Sequence, residues 1–316
     1  MPRLCASLLL SLVITLSASA VTMEWTPIGD PGNACDTQVS GCYGAVAYAY
    51  NIGTYEVTHS QYTEFLNAKA ASDPLNLYNT GMGAGQGGIV RTGSDGGFTY
   101  DTIAGRENMP VNFVSFYDAL RFANWLNNGQ GGGDTETGAY TLAGGTPSPS
   151  NGMAIARTAG AAIFVTSEDE WYKAAYYDAL STSYFDYPAG TDGPVECSAP
   201  TAATNHGNCH NAFSGPTAVG SYTGSASPYG TFDQGGNVSE WNQTLVDTSR
   251  VFRGGAYDSV TSSTFNASQS SAVSPNAGSD TRGFRLVMIP EPSTGLLVIA
   301  AMLGIAVRRA RRIEYH

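Results

Sequence analysis

Glycine interrupts this chain too often for long regular elements to form, with 38 glycines and 15 prolines among 316 residues. Together they make up about 17 % of the chain, rich in turns but below the roughly 25 % that marks low complexity. What packs between the turns is aromatic. Eighteen tyrosines and four tryptophans point to an irregular, ring-filled core rather than a helical bundle. Charged residues are only 13 %, about half the usual share, which excludes a coiled coil and a charge-driven disordered tail. The apolar share of 42 % is enough for a substantial core.

Net charge narrows the function. The whole chain carries -11, and residues 21–289 alone hold 24 acidic and 10 basic side chains. A phosphate polyanion would be repelled, so nucleic acid is not an expected partner. A divalent cation is compatible with this balance.

Both ends read as addresses. Residues 1–20 have the form of a secretory signal, with Arg3, an apolar stretch from Leu4 to Leu16, and Ala18-Ser19-Ala20 as a small-residue cleavage site. At the other end Pro290-Glu291-Pro292 precedes an apolar run from Gly295 to Val307 and the cluster Arg308-Arg309-Ala310-Arg311-Arg312. The run is short for a comfortable span, which takes about 20 apolar residues. The arginines would hold the C-terminus in the cytoplasm. These three parts in order resemble the PEP-CTERM sorting signal over 290–316. That resemblance implies transient membrane insertion through 293–307, removal by an exosortase-type protease, and a protein at the cell surface or outside it.

The cysteines fit export. Cys5 lies in the signal, and Cys35, Cys42, Cys197 and Cys209 remain, an even number for an oxidising compartment. Pairing neighbours in sequence gives Cys35–Cys42 and Cys197–Cys209, but three pairings are possible.

Three helices are predicted within the body. One runs over about 60–71, with Thr58 and Gln61 in capping-box spacing; others begin at Ser115 and at Ser167, each with an acidic residue three positions on. Phe116, Ala119, Leu120, Ala123 and Leu126 form an apolar stripe at helical spacing. Short strands are expected at 48–57, 163–166, 251–253 and 284–288. Gly-rich loops occupy 81–97, 129–133 and 143–152. No linker divides residues 45–289, so one domain (21–289, core 45–288) is expected.

Candidate chemistry is sparse. Gly83, Gly85 and Gly88 match a dinucleotide fingerprint but sit in a run of glycines followed by Ile89-Val90-Arg91, which reads as a loop. His206, Cys209 and His210, with Cys197 upstream, have zinc-ligand character, although disulfide use of the cysteines is the simpler reading. His59 at a helix start is expected to cap or pack. No Gly-x-Ser-x-Gly elbow occurs. Glu168, Asp169 and Glu170 suit a helix N-terminus better than acid-base work. The segment 229–241 is the most informative: Asp233 and Glu240 flank a Gly-Gly-Asn turn, and calcium takes six to eight oxygens from carboxylates and carbonyls together.

Several segments in series sharpen this. Met109-Pro110-Val111-Asn112-Phe113-Val114-Ser115-Phe116-Tyr117-Asp118-Ala119 comes first, then Thr166-Ser167-Glu168-Asp169-Glu170-Trp171. Gly235-Gly236-Asn237-Val238-Ser239-Glu240-Trp241, Phe252-Arg253-Gly254-Gly255-Ala256 and Gly283-Phe284-Arg285-Leu286-Val287 follow. In this order they resemble the formylglycine-generating enzyme, or sulfatase-modifying factor, family from about Tyr50 to Val287. Thr166 stands where that family usually has proline, and Ser239 where an aromatic residue is common.

The resemblance implies one loop-rich α+β domain of C-type-lectin-like fold, with little regular structure. It also implies structural calcium, through the side chains of Asp233 and Glu240 and the carbonyls of Gly236 and Val238, with Asn205 a weak match to a second site. The family's oxidases use a copper-binding cysteine pair between the Arg-Gly-Gly and Gly-Phe-Arg segments. Here residues 256–282 contain no cysteine and are serine-rich, and a hydroxyl is a poor ligand for copper(I). No copper and no catalytic residues are expected. The implied function is a non-catalytic, calcium-stabilised binding or structural module whose partner is an extracellular glycan or protein. The alternative is a formylglycine-generating-type or iron-dependent oxidase that modifies exported proteins.

Overall fold

Each helix starts where a hydroxyl caps it. Thr58, Ser115 and Ser167 accept the backbone N–H of Gln61, Asp118 and Glu170, and those side chains reach back to the N–H of the cap. These reciprocal bonds satisfy orphan donors of the first turn. They set the starts of α1 (His59–Lys69), α2 (Phe116–Asn127) and α3 (Glu168–Tyr176). The computed structural model describes residues 20–260 and 262–290. Nearly all of the expected signal sequence, and the expected sorting signal beyond Pro290, lie outside the described residues. Among the described residues no helix is long and apolar enough to cross a membrane.

The apolar stripe of α2 understates its burial. Every residue from Phe116 to Leu126 is buried, so this helix runs through the core. Its polar positions are satisfied there. Arg121 donates to Glu136 and to the carbonyls of Thr146 and Pro147, and Asn124 exchanges bonds with Tyr140 and Thr135. Phe122 lies at the centre of a cluster with Tyr62, Phe65, Trp125 and Phe284, ring centroids 5.4–5.9 Å apart.

Two four-stranded sheets frame the helices. In the first, β1 (Trp25–Ile28), β2 (Tyr50–Gly53), β3 (Ile163–Val165) and β8 (Leu286–Met288) run in spatial order β1-β2-β8-β3, antiparallel throughout. In the second, β4 (Ser239–Val246), β5 (Ser249–Arg253), β6 (Ser271–Val273) and β7 (Arg282–Phe284) run β6-β5-β4-β7, with β4 and β7 parallel. The expected strand at 284–288 is thus two strands in two sheets, and Arg285 is the residue between them. The expected strand at 48–57 keeps regular pairing only over Tyr50–Gly53. Among the described residues helix accounts for 14 % and strand for 23 %, which makes this a single α+β domain with little regular structure.

Candidate functional site

The segment 229–241 is a turn that only certain residues can make. Asp233 and Asn237 hold φ of +65° and +61°, and Gly236 holds +119°, values that carry a steric cost for ordinary side chains. A Cβ on Gly236 would lie 2.5 Å from the Asn208 carbonyl. Backbone bonds fasten the turn on both sides: Gly236 N–H donates to Gly254 O, Asn237 N–H to Asn208 O, and Tyr257 N–H to Asn237 O, at 2.8–2.9 Å. Strand β4 then begins and points Glu240 and Trp241 into the core.

Glu240 meets Arg285 there. Arg285 Nε and Nη2 donate to the two Glu240 oxygens at 3.0 and 2.9 Å, and Trp171 Nε1 adds a bond of 2.8 Å. The remaining guanidinium donors reach the carbonyls of Gly53 and Phe232, each at 2.7 Å. Glu56 lies alongside, its Oε2 3.9 Å from Arg285 Nη2 and its Oε1 accepting from Asn237 Nδ2 at 3.2 Å. Asp233 Oδ2 accepts the Gly220 N–H at 2.6 Å. Two carboxylates thus pair with one guanidinium, and Asp233 lies within its field. Burial, then the neighbouring Asp233 charge, pushes the Glu56 carboxyl well above its usual range, and burial lifts Asp233 to about 6.

This arrangement divides the expected calcium ligands. Glu240 Oε2 accepts from both Arg285 and Trp171, and Oε1 accepts one bond from Arg285. Asp233 and Glu56 also suit a cation: burial raises both carboxyls, a cost a bound cation would offset, and Glu56 Oε2 is buried without a hydrogen-bond partner. The Gly236 and Val238 carbonyls belong to the same turn. Among the described residues no three His, Cys, Asp or Glu side chains gather as a metal site, so main-chain oxygens would have to complete a shell. Asn205 lies elsewhere, beside the 193–194 segment. It holds φ of +58° and donates its amide to the carbonyls of Gly193 and Pro194, while its Oδ1 is buried without a partner.

The remaining sequence candidates are structural. Cys35 bonds Cys42 and Cys197 bonds Cys209, so the sulfurs beside His206 and His210 are spent on each other. His59 packs rather than caps: its ring is buried, neither nitrogen has a partner, and desolvation lowers its pKa to about 3. At the start of α3, Glu168 pairs with Arg253, Asp169 accepts the Gly44 N–H, and Glu170 takes a double contact from Arg157. Burial would raise Glu170, but Arg157, the Ser167 N–H and Tyr48 together outweigh it and the net direction is down.

A cavity of about 450 Å³ opens where the cysteine-free interval folds against β4, β5 and β7. Its walls include Phe252, Asp258, Ser259, Ser270, Ser271 and Arg282. Arg282 lies over two rings, its guanidinium carbon 4.2 Å from the Phe252 ring centroid and 4.8 Å from that of Trp241. Cation–π contact of this kind fixes a side chain without spending its N–H donors.

Residues 43–289 match the model of the sulfatase-modifying factor enzyme 1-like domain. The chain belongs to this family. Solved structures agree at the level of fold. The chain is similar to Treponema denticola variable protein 1, with 18 % identity over 87 % of this chain and 98 % of that one, at a TM-score of 0.53. It is also similar to the crystal structure of CarF, with 20 % identity over 85 % of this chain and 99 % of that one, at a TM-score of 0.56. No curated protein sequence matches. Within this sulfatase-modifying-factor domain, sequence reasoning missed Glu56, the partnership of Arg285 with Glu240, and Arg282. Each depends on pairing across distant strands, and only the Gly-Phe-Arg motif around Arg285 gave a local signal.

Proposed function

We propose that this protein is an exported, non-catalytic binding module, with the cavity between residues 254–271 and strands β4, β5 and β7 as its ligand site. The observation that carries the reading is the chemistry of the cavity wall. Hydroxyls, one aspartate and two arginines line it, and the four cysteines of the described chain are paired in disulfides. Such a wall supplies hydrogen bonds for recognition and no soft donor for copper. The disulfides accord with an oxidising compartment. The signal-like start and the PEP-CTERM-like end complete the reading: export, processing by an exosortase-type protease, and display at the surface or release.

In this reading calcium braces the turn at 233–238. Asp233 and Glu56 would contribute charge, and the Gly236 and Val238 carbonyls neutral oxygens, with Glu240 as the fixed anchor of Arg285. Bound there, the ion would supply the positive charge this group of carboxylates lacks.

The test is oxygen consumption by the purified protein after loading with copper or iron, in the presence of a cysteine-containing peptide. No turnover is expected. Sustained turnover would replace the binding reading with that of a metal-dependent enzyme modifying exported proteins.

A further inference from the structure

Four of the eight arginines among the described residues are answered by a carboxylate. Arg121 pairs with Glu136, Arg157 with Glu170, Arg253 with Glu168, and Arg285 with Glu240. Of the other four, Arg282 is the one that borders the cavity. Among the described residues it forms no ion pair and one hydrogen bond, from Nη1 to the Ala277 carbonyl at 3.0 Å, and its Nε is buried without a partner. Burial alone lowers its pKa. Arg250 also lacks a carboxylate, but its Nη1 and Nη2 are spent on the carbonyls of Gln243 and Gly152, and it lies outside the cavity wall.

A partly desolvated guanidinium with no counter-charge is costly to keep. A carboxylate is its best-matched partner, because the planar fork presents parallel N–H groups. The rest of the wall limits what carries that carboxylate. Ser270 and Ser271 are exposed hydroxyls, and Asp258 is an exposed acceptor. Phe252, the one aromatic ring in the wall, has a face covered by Arg282. Asp258 and the net charge of -11 disfavour a dense polyanion.

We propose that the cavity binds a carboxylate-bearing saccharide, its acid group seated on Arg282 and its hydroxyls on Ser270, Ser271 and Asp258. This rests on the reading of the cavity as the ligand site and goes further by fixing the ligand's chemistry.

The test compares cellobiouronic acid with cellobiose, which differ by one carboxylate, using titration calorimetry on the purified protein. The acid sugar is expected to bind about tenfold tighter or more, the worth of one charge-assisted hydrogen bond. Arg282→Gln should erase that preference, with thermal unfolding confirming that the variant folds. Ser270→Trp, at an exposed edge of the cavity, should block the acid sugar without touching the core. Equal affinity for the two sugars, or a preference that survives in Arg282→Gln, overturns the carboxylate assignment and leaves the cavity reading standing. Binding that Ser270→Trp does not weaken overturns the cavity reading as well. No heat from either sugar overturns the proposal.

Discussion

Arg285 grips both carboxylate oxygens of Glu240, at 2.9 and 3.0 Å, where neither side chain reaches solvent. The pair sits where the chain leaves one sheet and enters the other, so it ties β7, β8 and β4 together. Removing one partner of such a pair strands the other charge, which typically costs about 3–5 kcal/mol. Arg285→Met and Glu240→Gln are each expected to fall in that range in urea unfolding. The loss should be the same with calcium or with chelator, because Glu240 serves Arg285. A loss in Glu240→Gln that appears only with calcium present would return Glu240 to the ion's shell.

Asp233 and Glu56 give the calcium proposal a pH signature. Both carboxyls are raised in the folded state, Asp233 to about 6. A raised pKa means the fold binds the proton more tightly than the unfolded chain does. Its stabilising contribution is therefore complete below the unfolded carboxylate value of about 4, and is lost as pH rises through the folded value. His59 works in the opposite direction, since its folded pKa of about 3 withdraws stability as pH falls below about 6.5. The measurement is thus a difference. In chelator, the Tm gap between Asp233→Asn and the parent should narrow as pH drops from neutral toward 5. Calcium should raise the parent's Tm at neutral pH and leave Asp233→Asn unmoved. A parent that ignores both calcium and chelator has no ion at this turn.

Cys197 and Cys209 close a short loop beside the cavity, with Cys209 buried against Tyr187, Val195 and Phe265. Removing a bond of this kind commonly costs about 2–4 kcal/mol. The double variant Cys197→Ser/Cys209→Ser should lose stability in that range. Non-reducing peptide mapping should return Cys35 with Cys42 and Cys197 with Cys209. Recovery of free thiol at Cys197 or Cys209 in the native protein would reopen the possibility of a sulfur-ligated metal.

What the sequence disclosed and what it hid divide by range. The three helix starts were legible because a capping box is a three-residue event, complete in Ser167 and Glu170 or in Thr58 and Gln61. The turn at 233–238 was legible because its glycines answer a local backbone demand. The partner of Glu240 was not, since Arg285 lies 45 residues on and the pair forms only once β4 and β7 align. Glu170 shows the same limit. Its capping role is local, whereas its contacts with Arg157 and Tyr48 come from packing. The cavity was half legible. A serine-rich interval marked its wall, but nothing along the chain showed that Arg282 would be left without a carboxylate.

His59 offers a last check on how the Gly-rich loop is built. Its ring lies where a side chain on Gly88 would begin, so that a Cβ added there falls 2.2 Å from Cδ2. The ring has no hydrogen bond to give up, so shape alone holds the contact. Gly88→Ala should cost about 1–3 kcal/mol by overpacking. On a His59→Ala background the added methyl enters the space left by the ring, and the cost should shrink. The coupling in a double-mutant cycle by urea unfolding should therefore exceed about 0.5 kcal/mol. Additive losses would mean that Gly88 is required by its own backbone, and that the fit of loop 81–88 over α1 does not depend on the imidazole.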